Sequence, residues 1–537
     1  MLTTTFEDPA TGRRLRVVFL AFYNYQSHAL RIFHPLLQQR GHDVHSIYFK
    51  NYFTYNTPSA KDEDLVVDLI TQLKPDLLGM SVWSTYYQLA ARITRRVRAA
   101  VNPVVIWGGI HAQTCAEECL ADADIVCRSE GEDALIELTE RIGRGQDYRD
   151  LKGCWVRTAE GEIVRNPPRP LIPNLDVLPQ PDMSPKNKYY LGFDQWRDVA
   201  AWDERASSYD IMAVRGCPFE CTFCIHNYTR KESEGLGSYI RRRSVDHIIE
   251  EMKAARATRP DMRVMAFSDD IFAPARPWLE EFCEVYPREI GLPFIIYSFP
   301  GMVDEKKVAM LRRAGLWYST MGIQSGSERI RRECYERETS NETIINACRI
   351  FKRHGVGINL DFIADNPYET DEDRFETLDL LCELPKPFCF NCFSLSYFPG
   401  VDLTERLLRD GLISPNDLEH ITQRGYLYYG GHLNKLRSEE QLGWDVAIAM
   451  AVHGFPKPFI LRAMQTSYFR RNIRSIAHQM RRLSTVARYK GRFVDFLARR
   501  PNLLYEFWAD ANRGDVPSSV VIQPNFDNSP LSMPGTV

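Results

Sequence analysis

Over its first 142 residues the chain alternates short apolar runs with amphipathic stretches, a rhythm that leaves few folds open. Arg16–Phe22 (RVVFLAF) reads as a buried strand, and Ala29–Gln39 as a helix ending at Gly41. Val44–Phe49, Asp76–Val82, Val104–Trp107 and Ile125–Cys127 read as further strands. Helices are predicted over Asp62–Leu73, Leu89–Ala100, Cys115–Leu120 and Asp133–Ile142. Strands that alternate with helices of about 10 to 15 residues make βαβ units and a parallel sheet. Right-handed crossovers then wind five strands with helices on both faces. Ligands in such a sheet sit at the carboxyl ends of the strands. The loops of interest are therefore Tyr23–His28, Ser81–Tyr87, Gly108–Gln113 and Arg128–Glu132.

Pro167, Pro168, Pro170, Pro173, Pro179, Pro181 and Pro185 then crowd a span that no helix or central strand tolerates. Beyond it the rhythm resumes, with strands read at Asp210–Val214, Val264–Phe267, Phe294–Tyr297, Tyr318–Ile323, Ile358–Ile363 and Asn391–Tyr397. Six βα units are too few for an eight-stranded closed barrel and fit a partial, open one. From about Pro415 the pattern is mainly helical, with Leu461, Met464, Tyr468, Ile473, Ile476, Met480 and Leu483 tracking one face. Its basic span Arg462–Arg500 reads as a solvated helix face, or else as a surface that attracts an anionic substrate, partner or membrane. The 537 residues thus divide into an extension (1–15), a doubly wound domain (16–145), a proline-rich linker (146–207), a partial barrel (208–412), a helical region suited to substrate binding or capping (413–516) and a tail (517–537) that reads as disordered. The expected class is α/β.

Charge narrows the function. Lys and Arg number 67 against 70 Asp and Glu, a net charge of −3. That balance excludes a surface built wholly for nucleic acid, and equally a disordered polyelectrolyte. No stretch reaches the ~20 apolar residues of a membrane span, and the N-terminus lacks a basic-then-apolar signal, so a cytoplasmic protein is expected. Thirteen cysteines are too sparse for a disulfide scaffold.

Three of them are not scattered. Val214-Arg-Gly-Cys-Pro-Phe-Glu-Cys-Thr-Phe-Cys224 sets Cys217, Cys221 and Cys224 as C-x3-C-x2-C directly after a predicted strand. At this cysteine density a given triplet spacing arises by chance in roughly 0.008 places per chain. Short spacers return each sulfur toward one point, so the loop can wrap a metal cluster. A structural zinc wants a fourth ligand, for which His226 is the only local candidate; buried thiols are the bland reading. An iron–sulfur cubane with three thiolates instead leaves one iron open. Cys115 and Cys119, four apart on a predicted helix, read as small apolar residues on one buried face. Cys389 and Cys392 on a strand point to opposite faces.

With Phe223 before its last cysteine, the triplet resembles the signature of the radical S-adenosylmethionine (SAM) superfamily. The resemblance implies a [4Fe–4S] cluster on Cys217, Cys221 and Cys224, whose open iron chelates SAM. Reduction then releases methionine and a 5′-deoxyadenosyl radical. Phe267-Ser-Asp-Asp-Ile-Phe272 resembles the second-strand motif, which implies SAM contacts from Ser268, Asp269 or Asp270 alongside Phe223. Met321-Gly-Ile-Gln-Ser-Gly-Ser-Glu-Arg329 resembles the fourth-strand segment, implying Gln324 and Ser325. Asp361–Thr370 looks like the fifth-strand region, with Asp365 and Tyr368 where glycines are usual, and Phe398–Leu403 resembles the end of the barrel.

The domain before this core resembles the cobalamin-binding class of the same superfamily. Trp107-Gly-Gly-Ile-His111 and Arg128-Ser-Glu-Gly-Glu-Asp133 match its loops, which implies that Ser81, Ser84, Gly108, Gly109, His111, Glu130, Gly131 and Glu132 surround cobalamin. The D-x-H-x-x-G motif, whose histidine ligates cobalt from below, is absent from Tyr23–His28. His28 reads as a helix-start or surface histidine, leaving cobalt five-coordinate or water-ligated below, or else a domain with another ligand or none. The resemblance spans about residues 15–410. It implies methylation of an unactivated carbon of a small molecule, with electrons from a donor such as flavodoxin or ferredoxin. Oxidative cyclisation or rearrangement, as in the anaerobic tetrapyrrole cyclases, and a non-catalytic cofactor-binding role are the alternatives. No nucleic-acid partner and no integral membrane segment are expected.

Overall fold

The computed structural model describes residues 12–50, 58–192, 195–197, 208–260, 262–424 and 438–477. Its first sheet begins with β1 (Arg16–Phe22), β2 (Asp43–Phe49), β3 (Leu77–Ser81), β4 (Val104–Gly108) and β5 (Ile125–Cys127), the five strands expected. All five are parallel, in the order β5-β4-β3-β1-β2. Alternation along β1 sends Val18 and Leu20 into one apolar layer and Val17, Phe19 and Ala21 into the other, so both faces are covered.

The span read as a linker contributes strands as well. β6 (Cys154–Arg157) and β7 (Ile163–Arg165) extend the sheet antiparallel beyond β5, and β8 (Lys188–Gly192) and β9 (Gln195–Arg197) extend it beyond β2, making nine strands among the described residues. The prolines themselves lie between β7 and β8, outside every strand, because proline has no N–H for a ladder. This run crosses from one sheet edge to the other.

The second sheet holds β10 (Ser208–Ile211), β13 (Val264–Phe267), β14 (Phe294–Ser298), β15 (Leu316–Gln324), β16 (Gly357–Ala364) and β17 (Cys389–Ser394), adjacent in chain order and all parallel. A two-stranded ribbon, β11 (Val214–Arg215) with β12 (Arg241–Arg242), lies beside it. On β16 Leu360 and Phe362 enter the core with the surrounding helices, so Asn359 and Asp361 face the other, inner side. A closed barrel fills such inner positions with bulky aliphatic residues. Here strand alternation puts Asp210, Tyr297, Asn359, Asp361 and Asn391 there.

The helix Glu439–Val452 packs on Asp371–Glu383, with Trp444 edge-on to Phe375 at 5.0 Å. The single apolar face read from Leu461 onward is interrupted. Thr466 ends Lys457–Gln465 and caps Ser467–Arg471 by accepting from the Phe469 N–H. Met480, Leu483, most of the basic span and the tail lie outside the described residues. No described helix is long and apolar enough to cross a membrane.

Candidate functional site

The cysteine loop leaves β11 through Gly216, which sits at φ +89°. A Cβ there would lie 2.3 Å from the Tyr239 carbonyl oxygen, so the turn admits no side chain. Cys217 and Cys221 are buried, Cys224 half-buried, and none is in a disulfide. The helix Ile225–Glu232 starts directly after Cys224. Burial raises the pKa of the Cys217 thiol and pushes Cys224 up to about 12, against the pull of the Phe219 and His226 backbone N–H groups. Bound metal would displace those protons and the same N–H groups would then face thiolates.

Two arginines stand at the loop. Arg337 Nη1 is 3.5 Å from Cys221 Sγ, its guanidinium 4.5 Å over the Phe299 ring, and Arg230 donates to the Cys217 carbonyl. Among the described residues, the one His/Cys/carboxylate group whose ligand atoms converge within 4.8 Å is His111, Cys115 and Glu118. The three loop sulfurs do not all lie within that distance of one another. Four Zn–S bonds of about 2.3 Å would need sulfurs about 3.8 Å apart, which this loop does not present for a single ion. Three thiols, two cations and inward N–H groups suit an anionic iron–sulfur cluster.

Phe223 meets Tyr335 edge-on at 5.0 Å within an apolar cluster. Ser268, Asp269 and Asp270 follow the carboxyl end of β13. Asp269 is 1% exposed; its Oδ1 accepts from the Ala213 (2.7 Å) and Val214 (2.8 Å) N–H groups, tying this loop to the turn that leads to the cysteines. Its Oδ2 has no hydrogen-bond partner among the described residues, and burial lifts its pKa to about 7. Asp270 instead lies 2.8 Å from His226 Nε2, and His226 Nδ1 is 2.6 Å from the Tyr239 hydroxyl.

Gln324 and Ser325 reach a cavity, open to solvent, that Gln441 and Trp444 help to line. Gln324 lies at φ +72° and Asp365 at φ +61°, a conformation glycine adopts freely and Asp tolerates. Gln441 Nε2 donates to Asp365 Oδ1 (3.1 Å), tying the C-terminal helix to the cavity. Burial raises the Glu369 carboxyl, also at the cavity, to about 7. On the inner face, Asn359 and Asn391 both donate to Asp361 Oδ1, at 2.7 and 2.9 Å.

In the first domain, Gly109 lets the β3 and β4 loops touch. It has φ +90°, and a Cβ would fall 2.8 Å from the Val82 N and O and 3.2 Å from Ser81 Oγ. Around a Cβ at Gly108 the nearest atom is 3.9 Å away, leaving its face open to a flat ligand. Ser84 and His111 are buried against each other, Oγ to Nδ1 at 3.0 Å, and so brace this loop. Cys115 caps the end of a short helix, Ile110–Thr114, that was not expected, and Cys119 ends the next, Ala116–Cys119, which falls within the helix read at Cys115–Leu120. His28 is the first residue of its helix, and burial then the Arg31 charge hold its pKa well below the ordinary value. In the first-strand loop Tyr23 stacks on Tyr86 at 4.9 Å.

The Gly131 loop meets the second domain. Arg215 bonds Glu130 Oε1 (2.8 Å) and Glu132 Oε1 (2.5 Å), and Arg241 bonds Glu130 Oε2 (2.8 Å). Arg128, Arg215, Arg230, Arg241 and Arg337 were not singled out from the sequence. Their partners lie up to 116 residues away, beyond any local motif. The Gly131 loop and the strand that leads into the cysteine loop therefore meet at one junction between the domains.

Comparison with known proteins agrees with this division. Residues 17–139 match the B12 binding domain and residues 211–381 the Radical SAM superfamily. An uncharacterized methyltransferase of Pyrococcus horikoshii is 25% identical over 357 residues, 65% of this chain and 72% of the relative. The cytidylyl-2-hydroxyethylphosphonate methyltransferase of Streptomyces wedmorensis is 21% identical over 427 residues, 71% and 78% respectively. Two solved structures share the fold. The radical SAM methyltransferase TsrM from Kitasatospora setae, with cobalamin and a [4Fe–4S] cluster bound, has TM-score 0.61 and 18% identity over 88% of this chain and all of that one. The cobalamin-dependent radical SAM enzyme OxsB, with aqua-cobalamin and SAM bound, has TM-score 0.62 and 14% identity over 94% and 82%. The Radical SAM domain implies a [4Fe–4S] cluster and SAM, and the B12 domain implies cobalamin. The chain therefore carries a B12 binding domain followed by a Radical SAM superfamily domain.

Proposed function

We propose that this protein methylates an unactivated carbon of a small molecule. The observation that carries the reading is the direct contact between the cobalamin-side loop Glu130–Glu132 and Arg215, two residues before Cys217. Hydrogen abstraction and methyl delivery at one carbon require both cofactors to face one cleft. The names of the two relatives above, both methyltransferases, favour transfer over other radical outcomes.

When bound, the cofactors supply a 5′-deoxyadenosyl radical and a transferable methyl group. Cys217, Cys221 and Cys224 would hold the cluster, with the Arg337 cation beside Cys221. Asp269, Asp270, Gln324 and Ser325 would position SAM. Ser81, Gly108 and Gly109 would border cobalamin, with Ser84 and His111 as braces. Asp361, fixed by two amides, would orient a polar group of the substrate on the inner face. Electrons would come from a small donor such as flavodoxin or ferredoxin.

The test is to incubate cluster-reconstituted, cobalamin-loaded protein anaerobically with candidate substrates and SAM carrying a deuterated methyl group. Methyl transfer requires 5′-deoxyadenosine, S-adenosylhomocysteine and a labelled product together. 5′-Deoxyadenosine without S-adenosylhomocysteine rejects it and leaves cyclisation or rearrangement.

A further inference from the structure

The contact between the two domains is a built network. Arg215 pairs with Arg241 across β11 and β12, and both guanidinium groups reach Glu130, Arg215 taking Glu132 as well. The side chains of Glu132 and Arg241 are 5% and 6% exposed, those of Arg215 and Glu130 19% each. Two cations meet two carboxylates, so the network is neutral as a whole. The crossing segment is stitched in: Glu130 Oε2 accepts from the Ile172 N–H (3.0 Å), and Arg241 donates to the Ile172 carbonyl (3.1 Å). Burial opposes charge on Glu130, but Arg215 and Arg241 keep its pKa below the ordinary value.

A second clasp closes on the far side of the cysteine loop. Arg128 donates to the Tyr228 hydroxyl (3.0 Å) and to Glu232 (2.7 Å), both on the helix after Cys224. The Tyr228 hydroxyl donates to the Gln113 carbonyl (2.9 Å). Loops of the cobalamin-binding domain therefore grip the cysteine loop before its first cysteine and after its last.

Buried ion networks stabilise little compared with apolar packing, but they fix geometry. An arginine fork spanning two carboxylates specifies direction as well as distance, which a lysine point charge does not. We infer that Arg215 is a positioning residue, which by clamping Glu130 and Glu132 sets how the cluster loop faces the cobalamin loop and binds neither cofactor itself. Glu130 and Glu132 thereby serve the junction. The inference rests on the reading that both cofactors are bound across it.

The test compares wild-type full-length protein with Arg215→Gln, the milder Glu132→Gln, and the reciprocal Arg215→Glu/Glu132→Arg. In cofactor-free protein, Arg215→Gln speeds amide hydrogen exchange about tenfold in residues 128–134 and 214–224 together, and the reciprocal pair restores it. In protein loaded with cluster and Co(II) cobalamin, reducing the cluster raises the microwave power needed to saturate the cobalt EPR signal. Arg215→Gln loses most of that increase while iron and cobalamin per chain stay unchanged, and the reciprocal pair recovers it. Unchanged exchange and unchanged saturation overturn the inference, as does loss of cobalamin or iron from the variants, which would make these side chains cofactor ligands. Wild-type protein that binds no cobalamin defeats the proposed function, and the exchange data then decide the clamp alone.

Discussion

Arg337 Nη1 lies 3.5 Å from Cys221 Sγ, while Nη2 of the same guanidinium donates to the Gly322 carbonyl at 2.7 Å, so a carbonyl of β15 holds a fixed cation at the cysteine loop. A positive charge at that range favours the more negative redox state of a bound cluster. Arg337→Gln is expected to shift the midpoint potential negative by on the order of 100 mV, with Arg337→Lys falling between, read by potentiometric EPR titration. An unchanged potential removes Arg337 from the electrostatics of the site.

Replacing Cys217, Cys221 or Cys224 singly by Ala should abolish iron retention after anaerobic reconstitution. Cys283→Ala, on a helix of the barrel, should leave it intact. Iron and sulfide analysis with visible absorbance checks this, and full iron in any of the three variants contradicts it.

Asp269 links pH to stability. Burial raises its folded pKa from 3.8 to about 7, so between those values the folded state holds a proton that the unfolded state has released. Its contribution to stability is therefore present at low pH and lost as pH rises through that window. Asp269→Asn, which keeps an acceptor for the Ala213 and Val214 amides, should match wild type near pH 4 and gain on it up to pH 7. The difference should then level off at no more than about 4 kcal/mol. Urea midpoints of the cofactor-free proteins measure it, and a difference that does not change with pH refutes the assignment.

Gly216→Ala forces a Cβ to within 2.3 Å of a backbone oxygen at a left-handed φ. A loss of about 2 kcal/mol or more and a failure to assemble the cluster are expected. Gly145→Ala has nothing within 4 Å of the added carbon, although its φ of +66° is also left-handed, and serves as the control for backbone strain alone. Equal behaviour of the two variants would mean that the approach to Tyr239 does not matter.

Much of the architecture was legible because strand and helix periods are local properties. β1 through β5 and the six barrel strands fall where the apolar runs fall, and the cysteine spacing is read directly from eleven consecutive residues. The four outer strands of the first sheet, two at each end, were not legible. β6 to β9 are short and flank a proline run, and their pairing depends on edges supplied by β5 and β2. The break at Thr466 was missed because a single side-chain cap overrode an apolar pattern that ran past it.

The motif positions show the same limit. From the sequence Ser84, His111, Glu130 and Glu132 share one resemblance to cobalamin loops. In the fold Ser84 and His111 bond each other, and the two glutamates turn to arginines of the next domain. What the sequence determined by itself was which elements form and which loop carries the thiols, since backbone propensity and ligand spacing act over a few residues. Only the tertiary structure decided that Arg215 meets Glu132, 83 residues earlier, and that Asp361 shares an inner face with Asn391. Such contacts depend on the register of packed sheets and on burial that strengthens charge pairing, neither of which is present in a chain before it folds.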